Sequence, residues 1–245
     1  MTEPIETLLF DFGGTLDADG VAWKERFYTL YRAEGLDMTA DAFAPAFYAA
    51  DGPLVGSLPP AADLSRTVHA LAANLEAELA RRSAATDEAK TANEGTNGNR
   101  GQRVASRFLS EASAAFARNR PVLEALRERY RLGIVSNFYG NLEAVCHSAG
   151  LAPLFAVMVD SHSVGAEKPD PSIFRAALET LRAMPETTVF VGDSLRRDRE
   201  GARRAGMGFI WIAPQDVQAA EAQAPGNPPV HTTVTELRDL LKIFT

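Results

Sequence analysis

The sequence predicts an α/β protein with three layers, a parallel β-sheet between two layers of helices, and an all-helical segment inserted after the first strand. Two observations predict this fold class. Short apolar runs typical of buried strands alternate with amphipathic helical patterns along the second half of the 245-residue chain, and such alternation is typical of parallel sheets. One further apolar run stands near the start of the chain, and a long stretch of helical character separates it from the others.

The predicted strands are short and apolar. The first covers residues 5–10, and four more follow at residues 134–135, 155–159, 188–191 and 208–212. Helical patterns connect these later strands, at residues 141–149, 171–183 and 198–205. Gly150 and Gly206 stand where helices are expected to end, because glycine readily adopts the left-handed conformation of a helix C-terminus. The tail, residues 234–244, is predicted to be a closing amphipathic helix.

Residues 17–120 differ in character from the rest of the chain. They are rich in Ala, Leu, Glu and Arg, with aromatic residues at helical spacing and no strand pattern. We therefore predict a helical cap domain over residues 17–120 and an α/β core domain made of residues 1–16 and 121–245. Within the cap, residues 83–103 carry almost no apolar side chains. We predict a mobile loop there, because such a segment cannot bury enough surface to offset its ordering entropy.

The overall composition is ordinary for a globular protein, with 46% hydrophobic and 23% charged residues. A formal net charge of −7 argues against a nucleic-acid partner, since phosphate backbones select basic surfaces. No apolar run approaches the roughly 20 residues needed to span a bilayer, and the N-terminus does not resemble a signal peptide. The single cysteine, Cys146, excludes an intrachain disulfide. We expect a cytoplasmic protein without a membrane or nucleic-acid partner.

Four polar motifs follow predicted strands, at the sheet edge where ligands bind in open α/β folds. They are Asp11-Phe12-Gly13-Gly14-Thr15, Ser136-Asn137, Lys168-Pro169, and Gly192-Asp193-Ser194 with Asp198. Asp11 and Asp193 offer hard oxygen ligands for Mg²⁺, and the paired glycines let backbone N–H groups approach an anion. Ser136 is a compact hydrogen-bond donor, and Lys168 is a point charge that stabilises developing negative charge. Asp198 is open to three roles: capping a helix, contacting the metal through water, or pairing with the lysine. These residues predict a metal and phosphate site.

In this order and at this spacing, the four motifs resemble those of the haloacid dehalogenase (HAD) superfamily of aspartate-nucleophile hydrolases. The resemblance covers residues 4–16 and 121–213, and the helical segment falls where that family carries a C1-type cap. It implies a Rossmann-like three-layer core and Mg²⁺ as the cofactor. The activity that it implies is hydrolysis of a small phosphorylated metabolite through an aspartyl-phosphate intermediate, the carboxylate form of covalent catalysis.

The resemblance also implies roles by position. The implied catalytic residues are Asp11 as the nucleophile, Ser136 as a ligand of the phosphoryl oxygens, and Lys168, which orients Asp11 and balances charge. The implied phosphate-binding residues are Gly14, Thr15, Ser136, Asn137 and Lys168. The implied Mg²⁺ ligands are Asp11, the main-chain carbonyl of Gly13, Asp193 and Asp198.

The chain departs from the pattern of the family's phosphatases at Gly13. Those phosphatases usually carry a second aspartate there, which protonates the leaving group and then activates water. Glycine keeps the carbonyl but cannot transfer a proton. General acid–base catalysis contributes about 10²–10⁴ in rate, or about 3–5 kcal/mol of barrier, so we expect slow turnover of ordinary alkyl phosphates. His162, on the loop that leads to Lys168, is a candidate replacement acid because its ordinary pKa is near 6.5.

Two alternative functions stay open. Dehalogenases and phosphonatases of the family also lack the second aspartate. Its dehalogenases, however, are metal-free and do not keep the pair at Asp193 and Asp198, and its phosphonatases need a cap lysine, for which only Lys24 and Lys90 are available. The other alternative is a catalytically weak or inactive phosphate-binding or interaction protein on an enzyme fold. The motifs do not identify the substrate or the oligomeric state.

Overall fold

A computed structural model of the chain describes residues 4–85, 99–223 and 232–244. Six parallel strands form one sheet in the order β3-β2-β1-β4-β5-β6. The strands are Thr7–Phe10 (β1), Arg131–Ser136 (β2), Val157–Asp160 (β3), Thr188–Gly192 (β4), Gly208–Ile212 (β5) and Thr233–Val234 (β6). The predicted fold class and the five predicted strands are confirmed, with strand ends that differ by a few residues.

The helices of the described residues divide into two groups along the chain. Those between β1 and β2 are Trp23–Ala33 (α1), Ala40–Asp51 (α2), Leu64–Ala85 (α3) and Arg100–Arg127 (α4). Those after β2 are Leu142–Ser148 (α5), Ser161–Val164 (α6), Pro171–Leu181 (α7), Glu200–Arg204 (α8), Gln215–Gln223 (α9) and Leu240–Phe244 (α10). A π-helical turn, Leu195–Arg199, leads directly into α8. Among these helices, none is long and apolar enough to cross a membrane.

Successive strand residues point to opposite sides of the sheet. Helices cover both sides, so both faces of the sheet are buried. Leu9 faces the layer that contains α7 and α8, and its neighbours Leu8 and Phe10 face the layer that contains α4 and α5. Helix α7 begins where the Asp170 carboxylate accepts a hydrogen bond from Ser172 N at 2.8 Å, a typical N-cap. The central strand β1 lies between β2 and β4, so the residue that follows it, Asp11, emerges at the middle of the carboxyl edge.

Two details of the core differ from the sequence-based expectation. The tail begins with the two-residue strand β6, which pairs with Trp211 and Ile212, and its helical part starts only at Leu237. So short a strand carries no recognisable periodicity. Gly150 and Gly206, by contrast, take φ values of +67° and +81° at the ends of their helices, as predicted.

The helices between β1 and β2 form an insert, which we call the helical insert (α1 to α4). Helix α4 is continuous across residue 120 and contains Pro121. Its first half packs within the insert and its last turns pack towards the sheet. The division into a core and a cap at residues 16/17 and 120/121 stays a prediction.

The predicted mobile loop, residues 83–103, falls partly on residues 86–98, which lie outside the described residues. Its first residues belong to α3 and its last to α4, so its ends are helical rather than loop. The reason is ion pairing: Arg100 Nε lies 3.0 Å from Glu76 Oε1, and Arg103 Nε lies 2.6 Å from Glu34 Oε2. Polar residues can therefore occupy a packed helix end here.

A buried ion pair joins the helical insert to the loop after β1. Asp17 Oδ2 accepts hydrogen bonds from Arg26 Nη1 at 2.7 Å and from Trp23 Nε1 at 2.8 Å, while Oδ1 accepts one from Gly14 N at 2.6 Å. The Arg26 guanidinium stacks 3.7 Å from the ring centroid of Phe108 on α4 and donates to the Phe108 carbonyl at 3.1 Å. The same contacts thus hold α1, α4 and the loop beyond β1 together.

Arg26→Met is expected to lower the free energy of unfolding by about 3–5 kcal/mol, because it leaves the buried Asp17 carboxylate without its cation. Urea denaturation measures this loss. The matched control is Arg32→Met in the last turn of the same helix, where the arginine is exposed and pairs with exposed Asp37; there we expect a change of about 1 kcal/mol or less. Equal effects of the two substitutions would contradict the role given to the buried pair.

Cys146 provides a second test of the fold. It is fully buried in α5, and burial, with a smaller effect of Glu143, raises the pKa of its thiol to about 12. Since the thiolate is the reactive form, the native protein is expected to react with a disulfide reagent only at the rate of unfolding. Thiol titration in buffer and in urea measures this, and rapid stoichiometric reaction in buffer would contradict the burial.

Candidate active site

The predicted site residues come together at the carboxyl edge of the sheet. A cavity of about 650 Å³ opens between this edge and the helical insert. On the core side it is lined by Asp11, Ser136, Asn137, Lys168 and Asp193. On the insert side it is lined by Trp23, Lys24, Glu25, Phe47, Tyr48 and Asp51. The core therefore contributes the acidic centre with its lysine, and the insert contributes a wall of both aromatic and charged side chains.

Asp11 is held by two donors from different parts of the chain. Its Oδ1 accepts hydrogen bonds from Ser136 Oγ at 2.8 Å and from Lys168 Nζ at 2.7 Å. Its backbone N–H continues the strand ladder by donating to Val191 O at 2.9 Å. The carboxylate is therefore fixed in both position and orientation at the end of β1.

Lys168 bridges two carboxylates. Its Nζ lies 2.7 Å from Asp11 Oδ1 and 2.7 Å from Asp198 Oδ1, and all three side chains are almost fully buried. Its backbone is held by Asn137, whose Oδ1 accepts from Lys168 N at 2.7 Å and whose Nδ2 donates to Lys168 O at 3.2 Å. Of the three roles open to Asp198, the structure thus favours pairing with the lysine, and its Oδ2 also accepts from Ser194 N at 2.9 Å.

The surroundings of Asp11 and Lys168 favour the charged form of both side chains. Burial by itself would raise the pKa of Asp11, but the charge and hydrogen bond of Lys168 and the hydrogen bond of Ser136 bring it below its usual value. Burial opposes the charge of Lys168, yet Asp11 and Asp198 raise its pKa. Asp11 is therefore an ionised carboxylate beside a protonated lysine, as a carboxylate nucleophile requires.

Asp193 is a buried carboxylate that lies close to two others, Asp11 and Asp198. Burial, followed by repulsion from Asp11 and Asp198, raises the pKa of Asp193 well above its usual range. Oxygen atoms of these three carboxylates all lie within 4.8 Å of one another. Such an excess of buried negative charge is relieved by a hard divalent cation with oxygen ligands, so the residues present fit the implied Mg²⁺.

Gly14 and Thr15 donate hydrogen bonds to carboxylates beside the cavity. Neither lines the cavity: the Gly14 N–H donates to Asp17, and Thr15 Oγ1 donates to Asp193 Oδ1 at 3.2 Å. Gly14 has a φ of +93°, and a Cβ there would lie 2.8 Å from Asp193 Oδ2, so only glycine fits. In this structure both residues position carboxylates, and their predicted contact with a phosphate group stays a prediction.

The space beside Gly13 is occupied by Trp23. A Cβ at Gly13 would lie 3.1 Å from Trp23 Nε1 and 3.3 Å from Trp23 Cδ1. The indole is held there by its hydrogen bond to Asp17 and by edge-to-face packing on Phe108 and Phe138, with ring centroids 5.1 Å and 5.9 Å apart. A side chain at position 13 would therefore begin in tight contact with this ring, and the indole would have to move by a few tenths of an ångström to admit it.

The two other candidates named from the sequence have different outcomes. His162 does not line the cavity; its exposed ring lies against the backbone of Gly56 and Gly140. It is therefore not placed to replace the missing acid. Lys24 does line the cavity, with Nζ 3.0 Å from Glu25 Oε1. Burial would lower the pKa of Lys24, but Glu25 raises it above its usual value, whereas a lysine that forms a Schiff base needs a lowered pKa. Lys90 lies outside the described residues.

Sequence reasoning missed two cavity residues that contact each other. Tyr139 Oη donates to Asp51 Oδ1 at 2.5 Å, which joins the loop after β2 to the last residue of α2. Tyr139 stands three residues after Ser136, a signal that places it near the site. Asp51 has no such signal, because an aspartate before Gly-Pro at a helix end is also typical of an ordinary surface turn.

Comparison with known proteins gives the family. A family model described as haloacid dehalogenase-like hydrolase matches residues 5–206. Haloacid dehalogenase-like hydrolase domain-containing protein 3 of Bos taurus is 37% identical over 100 residues, 40% of this chain and 40% of the relative. Phosphoserine phosphatase of Thermus thermophilus is 36% identical over 102 residues, 40% of this chain and 41% of the relative. Each match thus spans about two fifths of the curated relative.

Two solved structures share the fold along the full chain. The HAD-hydrolase YfnB of Bacillus subtilis, solved bound to magnesium, covers 99% of both chains at 21% identity with a TM-score of 0.58. A dehalogenase solved with an intermediate complex covers 100% of this chain and 99% of its own at 18% identity, with a TM-score of 0.62. The family match over most of the sequence, on a fold and a charged centre of this kind, leads to one conclusion: the chain belongs to the haloacid dehalogenase-like hydrolases.

Proposed function

We propose that the protein is a Mg²⁺-dependent phosphomonoesterase that hydrolyses a small phosphorylated metabolite through an aspartyl-phosphate on Asp11. The observation that carries the proposal is the state of Asp11, a buried but ionised carboxylate that is oriented by Ser136 and Lys168 at one end of the cavity. The phosphatases among the curated relatives support phosphate chemistry.

Each polar residue then has a role in the proposed reaction. Asp11 attacks phosphorus, Ser136 and the backbone near Asn137 hold phosphoryl oxygens, and Lys168 balances the charge that develops on them. Asp11, Asp193 and the Gly13 carbonyl would bind Mg²⁺, with Asp198 close by as the partner of Lys168. The ion would neutralise the acidic cluster and the charge of the phosphate. Without the ion, the charge of Lys168 keeps the Asp11 carboxylate ionised.

The position of the helical insert over the cavity is consistent with a small substrate. Its residues Trp23, Phe47 and Tyr48 wall the cavity opposite Asp11, and in the proposed role as a cap the insert excludes water from the reacting groups. Since the single cysteine and the acidic charge suggest no other compartment, we place this activity in the cytoplasm.

Two other functions have weaker support. Dehalogenases are among the proteins that share the fold, but the buried acidic cluster beside Asp11 suits a metal-dependent reaction better. Phosphonatase chemistry would need Lys24 to lose its proton, and Glu25 opposes that. A phosphate-binding protein without turnover is the remaining alternative, and it predicts Mg²⁺ or phosphate binding with no product.

The nucleophile assignment predicts that Asp11→Asn and Asp11→Ala reduce Mg²⁺-dependent release of phosphate on the order of 10⁴-fold or more, as loss of a covalent nucleophile does. Phosphate release is measured over aryl, acyl and sugar phosphates, with and without a chelator. The control is Asp37→Asn, a fully exposed carboxylate on the insert, which should leave the rate unchanged. Turnover that survives loss of Asp11 would exclude the proposed mechanism.

The contact between Gly13 and Trp23 predicts that a carboxylate cannot simply be restored at position 13. Gly13→Asp is expected to lower the free energy of unfolding by about 1–3 kcal/mol, since overpacking forces neighbours to move. In a Trp23→Ala background the same change should cost less, because the obstructing ring is absent. Urea denaturation of the four proteins of this cycle measures the coupling. An equal cost in both backgrounds would show that the indole is not the obstacle.

A further inference from the structure

We propose that Asp51, the last residue of α2, is the proton-transfer residue that replaces the carboxylate absent at Gly13. This inference rests on the proposed phosphatase function. The geometry behind it is a continuous wall of contacts that runs from Gly13 through Trp23 and Tyr139 to Asp51, all on the lining of one cavity.

The first step along this wall is aromatic. The Trp23 indole lies beside Gly13, where a Cβ would be 3.1 Å from Nε1 of the ring. Its ring centroid lies 6.3 Å from that of Tyr139 and 5.9 Å from that of Phe138, and these two residues follow Ser136 and Asn137 directly in the chain. The aromatic residues beside the predicted phosphate-binding residues therefore include Tyr139 itself.

The second step brings in the carboxylate. Tyr139 Oη donates to Asp51 Oδ1 at 2.5 Å, and Gly56 N donates to the Tyr139 carbonyl at 3.0 Å, which holds the turn after α2 against the same residue. One oxygen of Asp51 is thereby fixed by the tyrosine. No hydrogen bond to the other oxygen, Oδ2, is found in the described part of the chain, so Oδ2 is the atom to which we assign the transferable proton.

The other carboxylates of the cavity are less suited than Asp51 to transfer a proton. Among the described residues, four carboxylates line the cavity: Asp11, Glu25, Asp51 and Asp193. Asp11 is the proposed nucleophile and Asp193 belongs to the acidic cluster. Glu25 is half exposed and paired with Lys24 at 3.0 Å. Within the same described residues, Asp51 forms no ion pair, although the charge of Arg197 acts on it.

The surroundings of Asp51 favour a carboxyl that keeps its proton. Burial raises its pKa, while the Tyr139 hydrogen bond and the Arg197 charge oppose this only in part, so the pKa stays above the usual value. The negative end of the α2 dipole acts in the same direction. Burial and the neighbouring Asp51 also raise the pKa of Tyr139 well above its usual range, so the phenol remains a donor. Two carboxyls with pKa values shifted in opposite directions, Asp11 down and Asp51 up, suit a nucleophile and an acid.

The proposed steps balance. As the Asp11 carboxylate forms a bond to phosphorus, the bond from phosphorus to the leaving oxygen breaks, and that oxygen takes the proton from Asp51 Oδ2. Water then attacks phosphorus and gives a proton to the Asp51 carboxylate, the bond to Asp11 breaks, and inorganic phosphate is released. Asp51 returns to its protonated state.

The experiment is a comparison of first-turnover rates on two substrates with Mg²⁺, an alkyl phosphate and p-nitrophenyl phosphate. An alkoxide leaving group needs a proton, whereas nitrophenolate does not. Asp51→Asn is therefore expected to slow first-turnover cleavage of the alkyl phosphate about 10²–10⁴-fold and to leave that of the nitrophenyl ester nearly unchanged. Asp51→Glu should restore part of the alkyl rate. Asp37→Asn, which changes an exposed insert carboxylate outside the cavity, should change neither rate.

Tyr139→Phe separates catalysis from structure. Tyr139 acts through Asp51 as a positioning residue, so its loss is expected to shift the pH profile of alkyl phosphate cleavage and to leave nitrophenyl cleavage intact. Equal loss on both substrates in Asp51→Asn, or a rise in KM alone, would show that the Asp51–Tyr139 contact only joins the insert to the core, and would overturn the inference.

The failure of this inference and that of the proposed function are distinguishable. Wild-type turnover that depends on Asp11, combined with an unchanged alkyl rate in Asp51→Asn, would overturn the role of Asp51 alone. Absence of Asp11-dependent turnover in the wild type would overturn both.

Discussion

Lys168 lies 2.7 Å from both Asp11 and Asp198 in a region closed to solvent. A buried ammonium is costly unless it is paired, and two buried carboxylates repel each other unless a cation stands between them. Each of these charges is therefore tolerated only because of the others. Asn137 fixes the lysine backbone through two hydrogen bonds, so the ends of β1 and β2, the π-helical turn after β4 and the loop after α6 are all tied to one charged centre.

The same centre remains short of positive charge. Two cations, Lys168 and Arg197, act on the three carboxylates of Asp11, Asp193 and Asp198. The pKa of Asp193 is nevertheless raised, first by burial and then by repulsion from Asp11 and Asp198. A divalent cation supplies the missing charge in the proposed reaction. Thr15 and Ser194 donate hydrogen bonds to Asp193 and Asp198, which holds these two carboxylates in position.

The chemistry of the cavity and the attachment of the helical insert share residues. Trp23 abuts Gly13 on one side and donates to Asp17 on the other, and Asp17 is paired with Arg26, which stacks on Phe108 of α4. A side chain added at position 13 would therefore disturb the packing of the insert. In the inference drawn from Asp51, the insert also supplies the carboxylate that transfers the proton.

Local sequence patterns predicted five of the six strands, the placement of the helical insert and the residues of the charged centre. Apolar runs of strand length, glycines at helix ends and polar residues directly after strands are short-range signals, and the parallel topology then brings those polar residues to one edge. The tertiary structure decided what could not be seen in this way: that Trp23 covers Gly13, that His162 turns away from the cavity, and that Asp51 meets Tyr139, 88 residues further along the chain. Such contacts depend on how the helices of the insert pack against the sheet edge, and no periodicity within either segment encodes them.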